Sequence, residues 1–140
     1  MRIAIITPVF PPTPGGIGMV AARQAEGLAK LGHKVTVYSP QSLRPWLRYR
    51  HAAFVPQLLW HLRRGKFDVV HLHYPFFGAA ELFLFYKLFA IRSKLVVTYH
   101  HDVVGEEFLK KVFAWHAKYV MPRILRKAHV VLVSSMDYAK

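Results

Sequence analysis

Short apolar runs alternate with longer amphipathic stretches along the whole chain. The runs are "RIAIITPV" (Arg2–Val9), "KVTVYS" (Lys34–Ser39), "DVVHLHY" (Asp68–Tyr74), "KLVVTYH" (Lys94–His100) and "HVVLVSS" (His129–Ser135). Most are apolar at consecutive positions rather than at alternate ones, the pattern of parallel strands covered on both faces. Between them, the spacing predicts helices near Ile17–Leu31, Ala53–Arg64, Gly78–Ile91 and Gly105–Lys127, the last kinked or divided at Pro122. Gly32 closes the first of these, where a C-terminal glycine belongs. Strand and helix in alternation predict an α/β fold: a doubly wound, Rossmann-like parallel sheet with helices on both faces and right-handed crossovers. The expected strand order is 3-2-1-4-5, which puts the ligand crevice between the first and fourth strands, beyond their carboxyl ends.

Two segments then meet at that crevice, "FPPTPGGIG" after the first strand and "HHDVVGEE" after the fourth. Gly15, Gly16 and Gly18 allow backbone angles that a Cβ forbids and let amides approach a ligand closely. The helix that follows turns its free N–H groups and its dipole toward the same space, which suits a phosphate or diphosphate. An empty, tight strand–helix turn is the plainer alternative. A dinucleotide site is the specific rival, because "GIGMVA" (Gly16–Ala21) matches G-x-G-x-x-A. That fingerprint wants its first glycine close behind the strand and an acid after the second strand. Here "PVFPPTPG" intervenes and the second strand runs into "VYSPQS".

Composition narrows the class further. The 140 residues are 54% hydrophobic, enough for one domain with a packed core, and contain no cysteine. Disulfides and thiolate metal sites are excluded, and a cytoplasmic location is expected. The start "MRIAIITPVF" reads as a buried first strand rather than a signal peptide, and no stretch reads as a spanning helix. Twenty Lys and Arg stand against seven Asp and Glu, which favours anionic partners. No acidic residue occurs between Glu26 and Asp68. The segment Leu43–Lys66 carries Arg44, Arg48, Arg50, Arg63, Arg64 and Lys66 among Trp46, Tyr49, Phe54 and Trp60. Cations interleaved with rings suit the headgroup layer of an anionic membrane, although a solvated amphipathic surface has the same composition. No nucleic-acid module is present, so nucleic acid is not an expected partner.

The histidines raise a metal question. His71 and His73 alternate on the third strand, and His100, His101 and Asp102 follow the fourth. In a 3-2-1-4 order those strands lie roughly 14 Å apart, so no metal site is expected. His71 is expected in or near the core.

The quoted segments have a counterpart. "PPTPGGIG…AEGLAKLGHKVTVYS", "FDVVHLHYP", "VVTYHHD" and "AHVVLVSSMDYA", in this order and spacing, resemble the amino-terminal domain of the family-4 retaining glycosyltransferases of GT-B fold. The resemblance covers nearly the whole chain and departs at Ala128-His129, where the family often has Ala-Asp. It implies a domain on the acceptor side, with Gly15, Gly16 and Gly18 facing the diphosphate of a nucleotide-sugar donor. It implies His100 beside the donor sugar as the residue nearest the chemistry, and Asp102 in the loop beyond. Tyr74, Arg44, Trp46, Arg48, Trp60 and Arg63 are the candidates for facing the acceptor or the membrane. The implied reaction is hexosyl transfer with retention to a lipid-linked or saccharide acceptor, in glycan biosynthesis, without a cofactor. The family's donor-binding domain is not within the 140 residues, so the chain alone is expected to be inactive. The different-class alternative is a non-catalytic module that binds membrane or polyanion.

Overall fold

The computed structural model describes residues 1–49, 52–85, 92–100 and 107–133. Five parallel strands form its sheet: β1 (Arg2–Ile6), β2 (Lys34–Tyr38), β5 (Val69–Tyr74), β6 (Lys94–Tyr99) and β7 (Val130–Val133). Their order is β2-β1-β5-β6-β7. The five predicted runs are therefore all strands, but the expected order is corrected from 3-2-1-4-5 to 2-1-3-4-5. Helix α1 (Gly16–Lys30) links β1 to β2, and the short helix α2 (Pro40–Leu43) follows β2. It ends as predicted at Gly32 (φ 83°), whose N–H bonds the Ala29 carbonyl at 2.9 Å while His33 N–H bonds that of Leu28 at 3.1 Å.

The physical reason for the order lies in the two faces of β5. Val70, Leu72 and Tyr74 point to one side, into a core with Ala4, Ile6, Leu95, Val97 and Tyr99. Val69, His71 and His73 point to the other, the side on which Ile3, Ile5 and Ala21 of α1 pack. Helix α3 (Gln57–Gly65) has an apolar stripe of Leu58, Leu59 and Leu62 that must bury against an apolar face. It finds one on the Leu72 side, because the apolar residues of the other side are already covered by α1. A right-handed crossover with its helix on that side, opposite α1, carries the chain past β1 and lays β5 on the far flank.

The connection from β2 to β5 also differs from expectation. Ala53 was expected to open a helix. Instead, β3 (Leu47–Tyr49) and β4 (Ala52–Phe54) form an antiparallel hairpin, and α3 begins only at Gln57. Pro56 accounts for this, since the residue before a proline is driven out of the helical region. The expected helix near Gly78–Ile91 is a 3-10 helix over Ala80–Phe85, and residues 86–91 lie outside the described residues. Pro122 does divide the last helical stretch, into α4 (Glu107–Tyr119) and α5 (Met121–Leu125).

The hairpin sits at the carboxyl edge of the sheet. Ala53 N–H bonds the Phe77 carbonyl at 2.9 Å, just beyond the end of β5. Gly78 permits this contact. Its φ is 86°, and a Cβ there would stand 2.5 Å from the Ala53 carbonyl oxygen. Gly78→Ala is therefore expected to lower the urea midpoint by an amount worth at least ~1 kcal/mol. Gly27→Ala, inside α1 with nothing within 4 Å of the added Cβ, is the control and should raise the midpoint slightly.

Candidate functional site

All five strands of the main sheet are parallel, so the loops after β1, β2, β5 and β6 emerge at one edge. The strand order reverses between β1 and β5, and the crevice lies there rather than between the first and fourth runs. The glycine loop after β1 forms one wall. The carboxyl end of β5 forms the other, with His73 on the same face of the sheet as α1. His100 follows one strand further, roughly 10 Å from β1 at ordinary strand spacing.

The three glycines have different reasons to be glycine. A Cβ on Gly18 would lie 2.9 Å from the Val9 carbonyl oxygen and 3.1 Å from its carbon. That carbonyl is already fixed by the Thr7 hydroxyl, which donates to it at 2.7 Å. Gly18 thus lets α1 pack against the returning loop. A Cβ on Gly15 would meet the Val9 side chain at 3.2 Å. Gly16 is exposed, and nothing lies within 4 Å of the place its Cβ would occupy. The expectation that all three supply special backbone angles is corrected: neither Gly16 nor Gly18 has positive φ. No side chain caps the N-terminus of α1, and its first turn holds no acid. The open space at Gly16 therefore faces a helix start whose positive end is offset by neither a capping side chain nor a first-turn acid.

Three histidine rings stack beside this space. His71 and His73 lie 4.7 Å apart between centroids, and His73 and His100 lie 5.2 Å apart with planes 21° from parallel. His71 Nε2 and Thr98 Oγ1 are hydrogen bonded at 2.6 Å, and His73 Nδ1 and His100 Nε2 at 2.9 Å. The argument that the third and fourth runs are too far apart to share a ligand is overturned, since β5 and β6 are neighbours. Hydrogen bonds to each other and to Thr98 occupy His71 Nε2, His73 Nδ1 and His100 Nε2. Among the described residues no three His, Asp or Glu side chains converge as metal ligands. His101 and Asp102 lie outside the described residues.

Burial controls the charge of this stack. Desolvation, with a smaller contribution from the neighbouring His100, lowers the pKa of His71 to about 4. Desolvation, then His71 and His100, lowers that of His73 to about 2. His71, expected in or near the core, is 6% exposed, and His73 is 0% exposed.

A second polar chain runs behind the stack. The Tyr74 hydroxyl and His116 Nδ1 are 3.0 Å apart, His116 Nε2 lies 2.7 Å from Glu81 Oε1, and Gly78 N–H donates to Glu81 Oε2 at 2.5 Å. Tyr74 also stacks on Tyr99, with ring centroids 5.4 Å apart. This candidate is thus buried among the core aromatics, tying α4 to the end of β5.

The basic candidates are on the surface. Arg44, Arg48 and Arg63 are exposed, as are Trp46 (77%) and Trp60 (52%). Trp46 packs edge-on against Phe54 across the hairpin, and the Arg64 guanidinium sits 4.6 Å over the Trp60 ring. Leu47 and Phe54 are exposed beside them. Arg50 lies outside the described residues. Among the described residues no helix is long and apolar enough to cross a membrane.

Sequence reasoning placed His71 and His73 on one face of the third strand but weighed His73 only as a metal ligand, and it did not foresee the hairpin. The fold and the crevice together define a doubly wound α/β domain with an uncapped helix start and polar rings at the carboxyl edge of its sheet. Residues 14–140 match the family model described as Glycosyltransferase Family 4, and the chain belongs to that family, as its amino-terminal domain. No curated protein matches the chain. Membership supports glycosyl transfer, with a sugar donor and an acceptor as its partners.

The two buried neutral histidines give a pH prediction. The unfolded chain takes up their protons near pH 6.5, whereas the folded chain does so only near about 4 and about 2. Their folded pKa values are depressed, so the stability they confer is fully present above about pH 7 and declines as pH falls through the window below 6.5. The slope is roughly 1.4 kcal/mol per pH unit for each histidine. Urea midpoints measured between about pH 7 and pH 5 should fall with acid, and His73→Asn should fall less steeply. A flat profile would show that these rings are not held neutral.

Proposed function

We propose that this chain is the acceptor-side half of a transferase that moves a hexosyl group from a nucleotide sugar, with retention, to a lipid-linked or saccharide acceptor. The observation that carries this reading is Gly16: an exposed glycine at an uncapped, acid-free helix start, with no neighbour to clash with a side chain. A donor diphosphate fits that space. Its leaving oxygens gain negative charge as the glycosidic bond breaks, and the α1 amides and dipole stabilise that charge in place, with no reorganisation at the moment of reaction. His100, at the end of β6 on the same edge, offers a ring nitrogen to the donor sugar. A partner domain with the family's donor site completes the cleft, and no cofactor or metal takes part.

Gly16 and Gly18 separate function from structure. In a protein carrying both halves, Gly16→Val should reduce turnover at least about tenfold, equivalent to 1.4 kcal/mol, while melting temperature stays nearly constant. Gly18→Ala should instead cost ~1–3 kcal/mol of stability through its clash with Val9. Turnover within a few-fold of the parent for Gly16→Val would remove the diphosphate from this position. The 140-residue chain alone should turn over no common nucleotide sugar.

The exposed hairpin favours an anionic membrane surface as a further partner, on the cytoplasmic face. Trp46, Leu47 and Phe54 are exposed at the carboxyl edge beside Arg44 and Arg48, and the whole connection lacks acids. Each cation near an anionic surface contributes on the order of 1 kcal/mol before salt screening. Arg44→Glu, Arg48→Glu and Arg63→Glu together should release the protein from anionic liposomes in co-sedimentation, yet leave its fold and its activity on a soluble acceptor unchanged. Equal binding to neutral and anionic vesicles would defeat the membrane role.

A further inference from the structure

His73 is buried at the ligand-facing end of β5, and its ring makes one hydrogen bond, from Nδ1 to His100 Nε2 at 2.9 Å. Its other nitrogen, Nε2, is buried with no hydrogen-bond partner among the described residues. These facts select a tautomer. One of the two bonded nitrogens donates and the other accepts. If His100 Nε2 were the donor, His73 Nδ1 would be bare and the proton of a neutral His73 would sit on Nε2. That would bury an N–H with nothing to receive it, the costlier of the two arrangements. With the proton on Nδ1, His73 donates to His100, and only a lone pair is left without a partner.

The geometry points to His73 as a positioning residue: its Nδ1–H donates to His100 Nε2 and so places the proton of neutral His100 on Nδ1. The stacking of the two rings, 21° from parallel, holds the orientation as well as the tautomer. His71 supports the stack from below through its own bond to Thr98. A donor at Nδ1 suits a hydroxyl or carbonyl oxygen of a sugar. Only this last consequence rests on the proposed donor-facing role of His100; the tautomer does not.

The test is the long-range proton–nitrogen NMR spectrum of the histidine-labelled chain near neutral pH. His100 is expected as the Nδ1–H tautomer. His73→Leu removes the donor and should shift His100 toward the Nε2–H form. His73→Asn places an amide N–H near the position of Nδ1 and should restore the parent pattern, which a merely space-filling role would not do. His100 found as Nε2–H in the parent, or unmoved in His73→Leu, would overturn the proposal. In a protein carrying both halves, turnover should fall at least tenfold in His73→Leu and recover in His73→Asn. If the tautomer moves while turnover does not, the positioning by His73 stands and the donor-facing role of His100 fails.

Discussion

Alternate residues of β5 meet two different environments, and much of the architecture depends on that alternation. Val70, Leu72 and Tyr74 complete a continuous apolar layer with β1 and β6. His71 and His73 make the opposite face polar toward its carboxyl end. With α1 covering the second face, the leucine stripe of α3 is desolvated against the first. The crossover that brings it there sets the strand order, and the strand order sets where the crevice opens. A set of packing preferences worth a few kcal/mol per buried leucine therefore places a histidine stack next to the glycine loop.

The same alternation explains how a core strand tolerates imidazoles. Each buried ring is neutral, and each has at least one nitrogen bonded to a neighbour on β6 or at its end. The desolvation cost falls on the charged form alone, so the rings stay in place as polar but uncharged groups. At the front of the crevice the arrangement is opposite in kind. The α1 start has no compensating side chain, and its partial positive charge remains available to an anion. On the proposed reading, one wall would stabilise charge and the other would supply directional hydrogen bonding to a substrate with a diphosphate at one end and hydroxyls at the other.

The sequence made the strands legible because their apolar runs are too short for helices and too continuous for surface strands. It located α1 to within a residue or so, and the glycine loop as a place of close approach. It could not assign the glycines. Whether Gly16 or Gly18 has room for a Cβ depends on how the Val9 carbonyl folds back, a tertiary contact without local signature. The strand order was misjudged because the crossover direction depends on which face of the sheet α3 covers, and the run was read as apolar on both faces. The hairpin was missed because Ala52–Phe54 looks like the start of the apolar helix that follows, although Pro56 was a visible reason to begin that helix later. Asp102 was proposed on resemblance alone and lies outside the described residues.

The account is tested most directly by where a nucleoside diphosphate touches the chain. Backbone amide shifts of the labelled protein, followed through a titration with such a ligand at low ionic strength, map that contact. The predicted result is a set of shifts centred on Gly15 to Met19, extending to the ends of β5 and β6 and saturating together. Shifts confined to the arginines of α3 and the hairpin, with the α1 start unmoved, would contradict it and reduce the binding to nonspecific attraction by a basic surface.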